Sequence, residues 1–127
     1  MILLKKYWIS TLFVIIIIVL CFINPSDIPV RVTMPNFDKL VHFLMFFGLS
    51  GVIFFDSSSY FKKRVPGKLI FWESFVFPIV LGGLIEIFQE YLPIPRRGDW
   101  VDFWFDMIGV LCGYLICLLI NRRLKTD

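Results

Sequence analysis

The sequence predicts an all-α integral membrane protein, a four-helix bundle with both termini in the cytoplasm. Three observations predict it: composition, the spacing of four apolar runs, and the distribution of lysine and arginine. Of the 127 residues, 58% are hydrophobic and 18% aromatic, and the mean hydropathy is +0.81. Soluble domains average roughly 45–50% apolar residues, so a soluble protein with a large core is excluded. Lys5, Lys6, Lys62, Lys63, Arg64, Lys68, Arg122, Arg123 and Lys125 fall on one side of a four-span arrangement, nine in all, against Arg31, Lys39, Arg96 and Arg97 on the other. The positive-inside rule then places both ends and the central loop in the cytoplasm.

The elements follow in chain order as one transmembrane domain, with the bundle expected in the plasma membrane. Residues 7–23 form an uncharged run after Lys5 and Lys6. It is long for a signal-peptide core, lacks a small-residue cleavage site, and has Leu20 where a lipoprotein site at Cys21 needs a small residue. An uncleaved first span is expected, ended by Pro25, Asp27 and Pro29. The second span covers 37–55, with Asp38 and His42 on one face and Gly48 and Gly51 set for close helix contact. Residues 56–68 read as a polar loop whose Lys62-Lys63-Arg64 run is a topology signal, not a nucleic-acid site. The third span covers 69–91. In it Glu73 pairs with Lys68 at the periphery, and Pro78 frees the Ser74 carbonyl and kinks the helix. The fourth covers 100–120, with a GxxxG at Gly109 and Gly113 suited to tight packing. Cys21, Cys112 and Cys117 all lie inside apolar runs, which marks packing residues, not a disulfide or zinc framework.

The chemistry gathers at the outer ends of these spans. Asp38, Lys39 and His42 open the second, Glu86, Gln89 and Glu90 close the third on a shared face, and Asp99, Asp102 and Asp106 open the fourth. Ionisable groups in a span cost roughly 2.5–3.5 kcal/mol each on insertion scales, so they raise a functional hypothesis by default. Asp99 also suits a helix N-cap, as does Asp38. In the connecting loop, Arg96 and Arg97, with Lys39, could grip a phosphate-bearing headgroup, while Glu86, His42 and Asp102 could manage a proton as catalytic groups. A divalent metal is chemically open to two carboxylates and a histidine, but no HExxH-like spacing supports it, and no cofactor is indicated. A plain interhelical network, Glu86 to Arg96 and Asp102 to His42, is the structural alternative.

The ordered pattern Asp38-Lys39-x-x-His42, then Glu86-x-x-Gln89, then an arginine and Asp99-x-x-Asp102 before a glycine-bearing span resembles the VanZ-like family of small bacterial membrane proteins, over about residues 37–113. The resemblance implies a cell-envelope protein associated with resistance to the glycopeptide teicoplanin, with Asp38, Lys39, His42, Glu86, Gln89, Arg96 or Arg97, Asp99 and Asp102 as matched positions. The family often has Asn four residues after the second aspartate, where this chain has Asp106. Three function classes stay open: a protein that binds or sequesters a membrane lipid or lipid-linked cell-wall precursor, an enzyme acting on a lipid headgroup or lipid-linked phosphate, and a structural or assembly subunit. The lack of an internal repeat argues against an autonomous transporter. Homo-oligomerisation is open.

Overall fold

The computed structural model describes residues 2–23, 37–92 and 99–124. Every element among them is helical: α1 (Ile2–Lys6), α2 (Trp8–Phe22), α3 (Phe37–Phe61), α4 (Gly67–Ile70), a π-helical segment (Phe71–Val76), α5 (Phe77–Tyr91) and α6 (Trp100–Arg122). The segment from α4 through α5 is continuous, and it, α3 and α6 are each long and apolar enough to cross a membrane. The first apolar helix is shorter than expected. Its 15 residues rise about 22 Å at 1.5 Å per residue, against a hydrocarbon core of about 30 Å. Helical hydrogen bonds from Tyr7 N to Leu3 O (2.9 Å) and from Thr11 N to Tyr7 O (2.8 Å) carry the helix back through α1. The bundle is therefore three long apolar helices and a shorter one.

The packing is inside out relative to a soluble domain. Among the described residues, as many polar side chains as hydrophobic ones are buried, including Ser10, His42, Asp56, Glu86, Asp106 and Asn121. Leu12, Ile16, Leu44, Val80, Trp104, Leu111 and Leu119 face outward. Water would make this surface untenable; lipid makes it the low-energy face, because hydrocarbon solvates apolar side chains and leaves polar ones to find partners inside.

The most extensive contact is between α3 and α6. These helices run parallel: His42 meets Asp106, Phe43 and Phe47 lie against Gly109 and Gly113, and Ser50 meets Cys117. A Cβ at Gly109 would collide with the Phe43 carbonyl, and one at Gly113 would lie 2.9 Å from the Phe47 carbonyl. The expected GxxxG is thus the seam on which the two backbones approach. Gly48 has Phe13 of α2 against it, whereas Gly51 faces open space and makes no close contact, contrary to expectation.

Three further expectations are corrected. The second span does not stop at 55: α3 continues to Phe61, and Asp56 and Ser57, read as loop residues, are buried. The buried positions 42, 46, 49, 50, 53, 56 and 57 keep one helical stripe, and the helix ends only where Lys62 adopts a left-handed φ of 57°. Glu73 does not pair with Lys68. It accepts hydrogen bonds from Tyr7 and Ser57 and lies 3.3 Å from Lys6. Beyond the loop, Arg64 donates to the last carbonyls of α6, at Asn121 (3.2 Å) and Arg122 (2.6 Å), and the Asn121 amide pairs with both backbone groups of Val65. Lastly, Glu90 is exposed and does not share the buried face of Glu86.

Pro78 acts through the π-helical segment before it. Lacking an N–H, it returns no bond to the Ser74 carbonyl, which instead accepts from the Ser50 hydroxyl of α3. This predicts a measurable coupling. Ser50→Ala is expected to cost about 1 kcal/mol, and much less in a Pro78→Ala background, where the restored N–H supplies the carbonyl. Thermal unfolding of the two single variants and the double variant gives the cycle; equal costs of Ser50→Ala in both backgrounds would contradict it.

Candidate functional site

The site is assembled from the first turns of α3 and α6 and the last turns of α5. Asp99 caps α6, its carboxylate accepting from Val101 N at 2.9 Å, so that Asp102 and Asp106 follow on the inward face of the helix. Glu86 reaches across from α5, and its Oε2 accepts from the backbone N–H of Asp99 at 2.8 Å. A carboxylate against a helix N-terminus is electrostatically favourable, and this bond ties the end of one span to the start of the next. Gly82, one turn before Glu86, leaves room for the Asp106 carboxylate: a Cβ there would stand 3.2 Å from Asp106 Oδ2.

The groups are graded from surface to interior. Asp38 and Asp99 are at the rim, with side chains 49% and 44% exposed. Lys39 follows, 3.4 Å from Asp38, 3.6 Å from Asp99 and 3.5 Å from Asp102. Deeper still, His42 has a carboxylate at each ring nitrogen: Nε2 lies 3.6 Å from Asp102 Oδ2, and Nδ1 lies 2.9 Å from Asp106 Oδ1. When Asp106 is ionised, Nδ1 is the donor of that bond. His42, Glu86 and Asp106 are each 1% exposed. Two of their carboxylate oxygens, Glu86 Oε1 and Asp106 Oδ2, are buried without a hydrogen-bond partner among the described residues.

Of the residues singled out in the sequence, Lys39, His42, Glu86, Asp99, Asp102 and Asp106 meet in this one place. Asp38 joins at the rim, but in the first turn of α3 and against Lys39; among the described residues no hydrogen bond links it to His42. Gln89 is turned elsewhere: its amide donates to the Cys21 carbonyl of α2 at 2.6 Å and so holds the first apolar helix to α5. Arg96 and Arg97 lie outside the described residues. The anticipated Asp102–His42 approach is present at 3.6 Å, while Asp106, a candidate in the sequence but not the expected partner of the histidine, makes the shorter contact at 2.9 Å.

A second polar layer occupies the opposite end of the bundle. Asp56 accepts from Ser10 N (2.8 Å) and Ser10 Oγ (2.7 Å), next to the Lys6–Tyr7–Ser57–Glu73 group. A cavity of about 490 Å³ lined by Tyr7, Ser10, Trp72 and Glu73 opens beside it. These residues lock α1 and α2 onto α3 and the π-helical segment. The signal that would have found them is the unbroken helical stripe through Asp56, obscured by the serine-rich polar stretch that follows it.

A helical membrane protein that buries a histidine among three carboxylates, between two parallel helices and a third, is the class that this fold and site define. Within that class the chain belongs to the VanZ/LLP1 family, whose model matches residues 2–121. The match takes in α1 and α2 as well as the stretch whose motifs carry the resemblance. No curated protein and no solved structure matches the chain.

Proposed function

We propose that this VanZ/LLP1 protein modifies the response of a bacterial cell to glycopeptide antibiotics, teicoplanin among them, by engaging a membrane lipid or lipid-linked cell-wall precursor at the outer face of the plasma membrane. The observation that carries the reading is the graded ladder from Asp38 and Asp99 through Lys39 to His42 and Asp106. It opens at one end of the bundle, where a polar headgroup would enter, beside apolar helix faces along which acyl or prenyl chains would lie. The lysine and arginine distribution supports an outer location for this end. Arg96 and Arg97, which lie between α5 and α6 in the sequence, would be the groups for a phosphate.

A second reading, an enzyme acting on a lipid headgroup or lipid-linked phosphate, is favoured by the His42–Asp106 contact. A carboxylate that orients an imidazole is the usual support for a general base. One experiment addresses both. Lipids that copurify with the wild-type protein are identified by mass spectrometry, and the enriched species is returned to purified protein in nanodiscs. We expect one headgroup class enriched over bulk lipid and lost in Asp102→Asn; conversion of that species would select the enzyme. A lipid profile identical to bulk membrane in both proteins, or a reporter fused next to Arg97 that reads cytoplasmic, would reject the proposal.

A further inference from the structure

We infer that His42, Glu86 and Asp106 form a binding site for a divalent first-row transition-metal cation of the zinc or manganese type, held between α3, α5 and α6. The three side chains come from three different helices, and each brings a donor atom within 4.8 Å of the others. Nδ1 of His42 and Oδ1 of Asp106, at 2.9 Å, already have about the spacing of neighbouring ligands on one ion with bonds of about 2.0–2.2 Å. Glu86, with a donor oxygen within 4.8 Å of both, would complete the set by closing that separation.

The buried oxygens supply the independent argument. Glu86 Oε1 and Asp106 Oδ2 have no hydrogen-bond partner among the described residues, on side chains that are 1% exposed. Each carboxylate has one bonded oxygen, Glu86 Oε2 to Asp99 N and Asp106 Oδ1 to His42, and a second oxygen left buried and unpartnered is unfavourable. The described cation at this end, Lys39, is directed at Asp38, Asp99 and Asp102, and no described lysine or arginine forms an ion pair with Glu86 or Asp106. A doubly charged cation neutralises these two carboxylates and occupies the space toward which the donors converge.

The donor set also selects the ion. Carboxylates alone would suit magnesium, calcium or manganese, whereas an imidazole shifts preference toward first-row transition metals, zinc before manganese. With His42 bound through Nδ1, its Nε2–H is left facing Asp102 Oδ2 at 3.6 Å. At that distance the two are not hydrogen-bonded; a closure of a few tenths of an ångström on metal binding would give the carboxylate–histidine–metal arrangement by which metal sites fix their histidines. Three protein ligands would leave a coordination position open. This inference stands on the described side chains and does not rest on the lipid reading.

The test uses full-length protein carrying an affinity tag without histidine, purified in detergent and equilibrated with Zn²⁺ or Mn²⁺. The expected result is about one ion per chain after desalting, with a thermal midpoint raised by several degrees. Mg²⁺ and Ca²⁺ at equal concentration should give neither. Metal should be lost in Glu86→Gln and Asp106→Asn and kept in the exposed control Glu90→Gln. Because His42 is the single histidine of the chain, a readout that needs no mutation is available. Mn²⁺ bound to wild-type protein labelled with ¹⁵N-histidine should show electron–nuclear coupling to that label. Wild-type protein holding no more metal than Glu86→Gln, or bound Mn²⁺ lacking the histidine coupling, would overturn the assignment and leave protons or water on the two oxygens.

Discussion

Glu86→Gln and Asp102→Asn are each expected to abolish the change in teicoplanin sensitivity that the wild-type protein confers, at matched levels in the membrane. Both substitutions preserve shape and a carbonyl oxygen. In Glu86→Gln the new amide oxygen can still accept from the Asp99 backbone, the one hydrogen bond that Glu86 makes among the described residues. If these carboxylates only held helices together, the amides would be tolerated, because interhelical hydrogen bonds average about 0.6 kcal/mol in membranes. What the amides remove is charge: Asp102 faces Lys39 at 3.5 Å and His42 at 3.6 Å, and an amide neutralises neither. Asp99→Asn should be mild, since asparagine caps a helix about as well as aspartate. Antibiotic sensitivity of cells expressing each variant, with membrane levels matched by immunoblot, is the measurement. Wild-type protection from both amide variants would reduce the cluster to scaffold.

Gly109→Val is expected to prevent stable assembly of α3 with α6. Even the first carbon of the new side chain would overlap the Phe43 carbonyl and lie 3.1 Å from the Phe47 amide. These are backbone atoms, which no rotamer change can move, so α6 would have to withdraw along its whole seam. The His42–Asp106 contact, less than one turn away, would open with it. Overpacking of this kind costs typically 1–3 kcal/mol even where side chains can yield, and more is expected here. Gly51→Ala is the control, because nothing lies within 4 Å of its Cβ position. There the better helix propensity of alanine should leave stability unchanged or raise it by up to about 1 kcal/mol. Thermal unfolding in detergent and the fraction of monodisperse protein would read both. Equal behaviour of the two glycine variants would mean that the α3–α6 seam is not the organising contact.

Much of this architecture is legible in the chain because hydrocarbon imposes simple rules. Apolar runs of sufficient length become helices, since no other structure of a single segment satisfies its backbone in lipid. An acid or histidine inside such a run must turn inward. The helical class, the three long helices, the Asp99 cap, the GxxxG seam and the meeting of His42 with Asp102 follow from those rules and from spacing along the chain. The tertiary structure decided what depends on distances between helices. It extended α3 to Phe61, because Asp56 finds Ser10 on another helix, a partner invisible to a local reading of a serine-rich stretch. It turned Gln89 to the Cys21 carbonyl and Glu73 to Tyr7, Ser57 and Lys6, more than fifty residues away in most of these pairs. The three-donor group of His42, Glu86 and Asp106 could not be read from spacing either. Metal motifs in sequence are recognised when ligands share one helix or loop, and these come one from each of three helices. The parallel approach of α3 and α6 over Gly109, and the room that Gly82 leaves for Asp106, bring them within 4.8 Å.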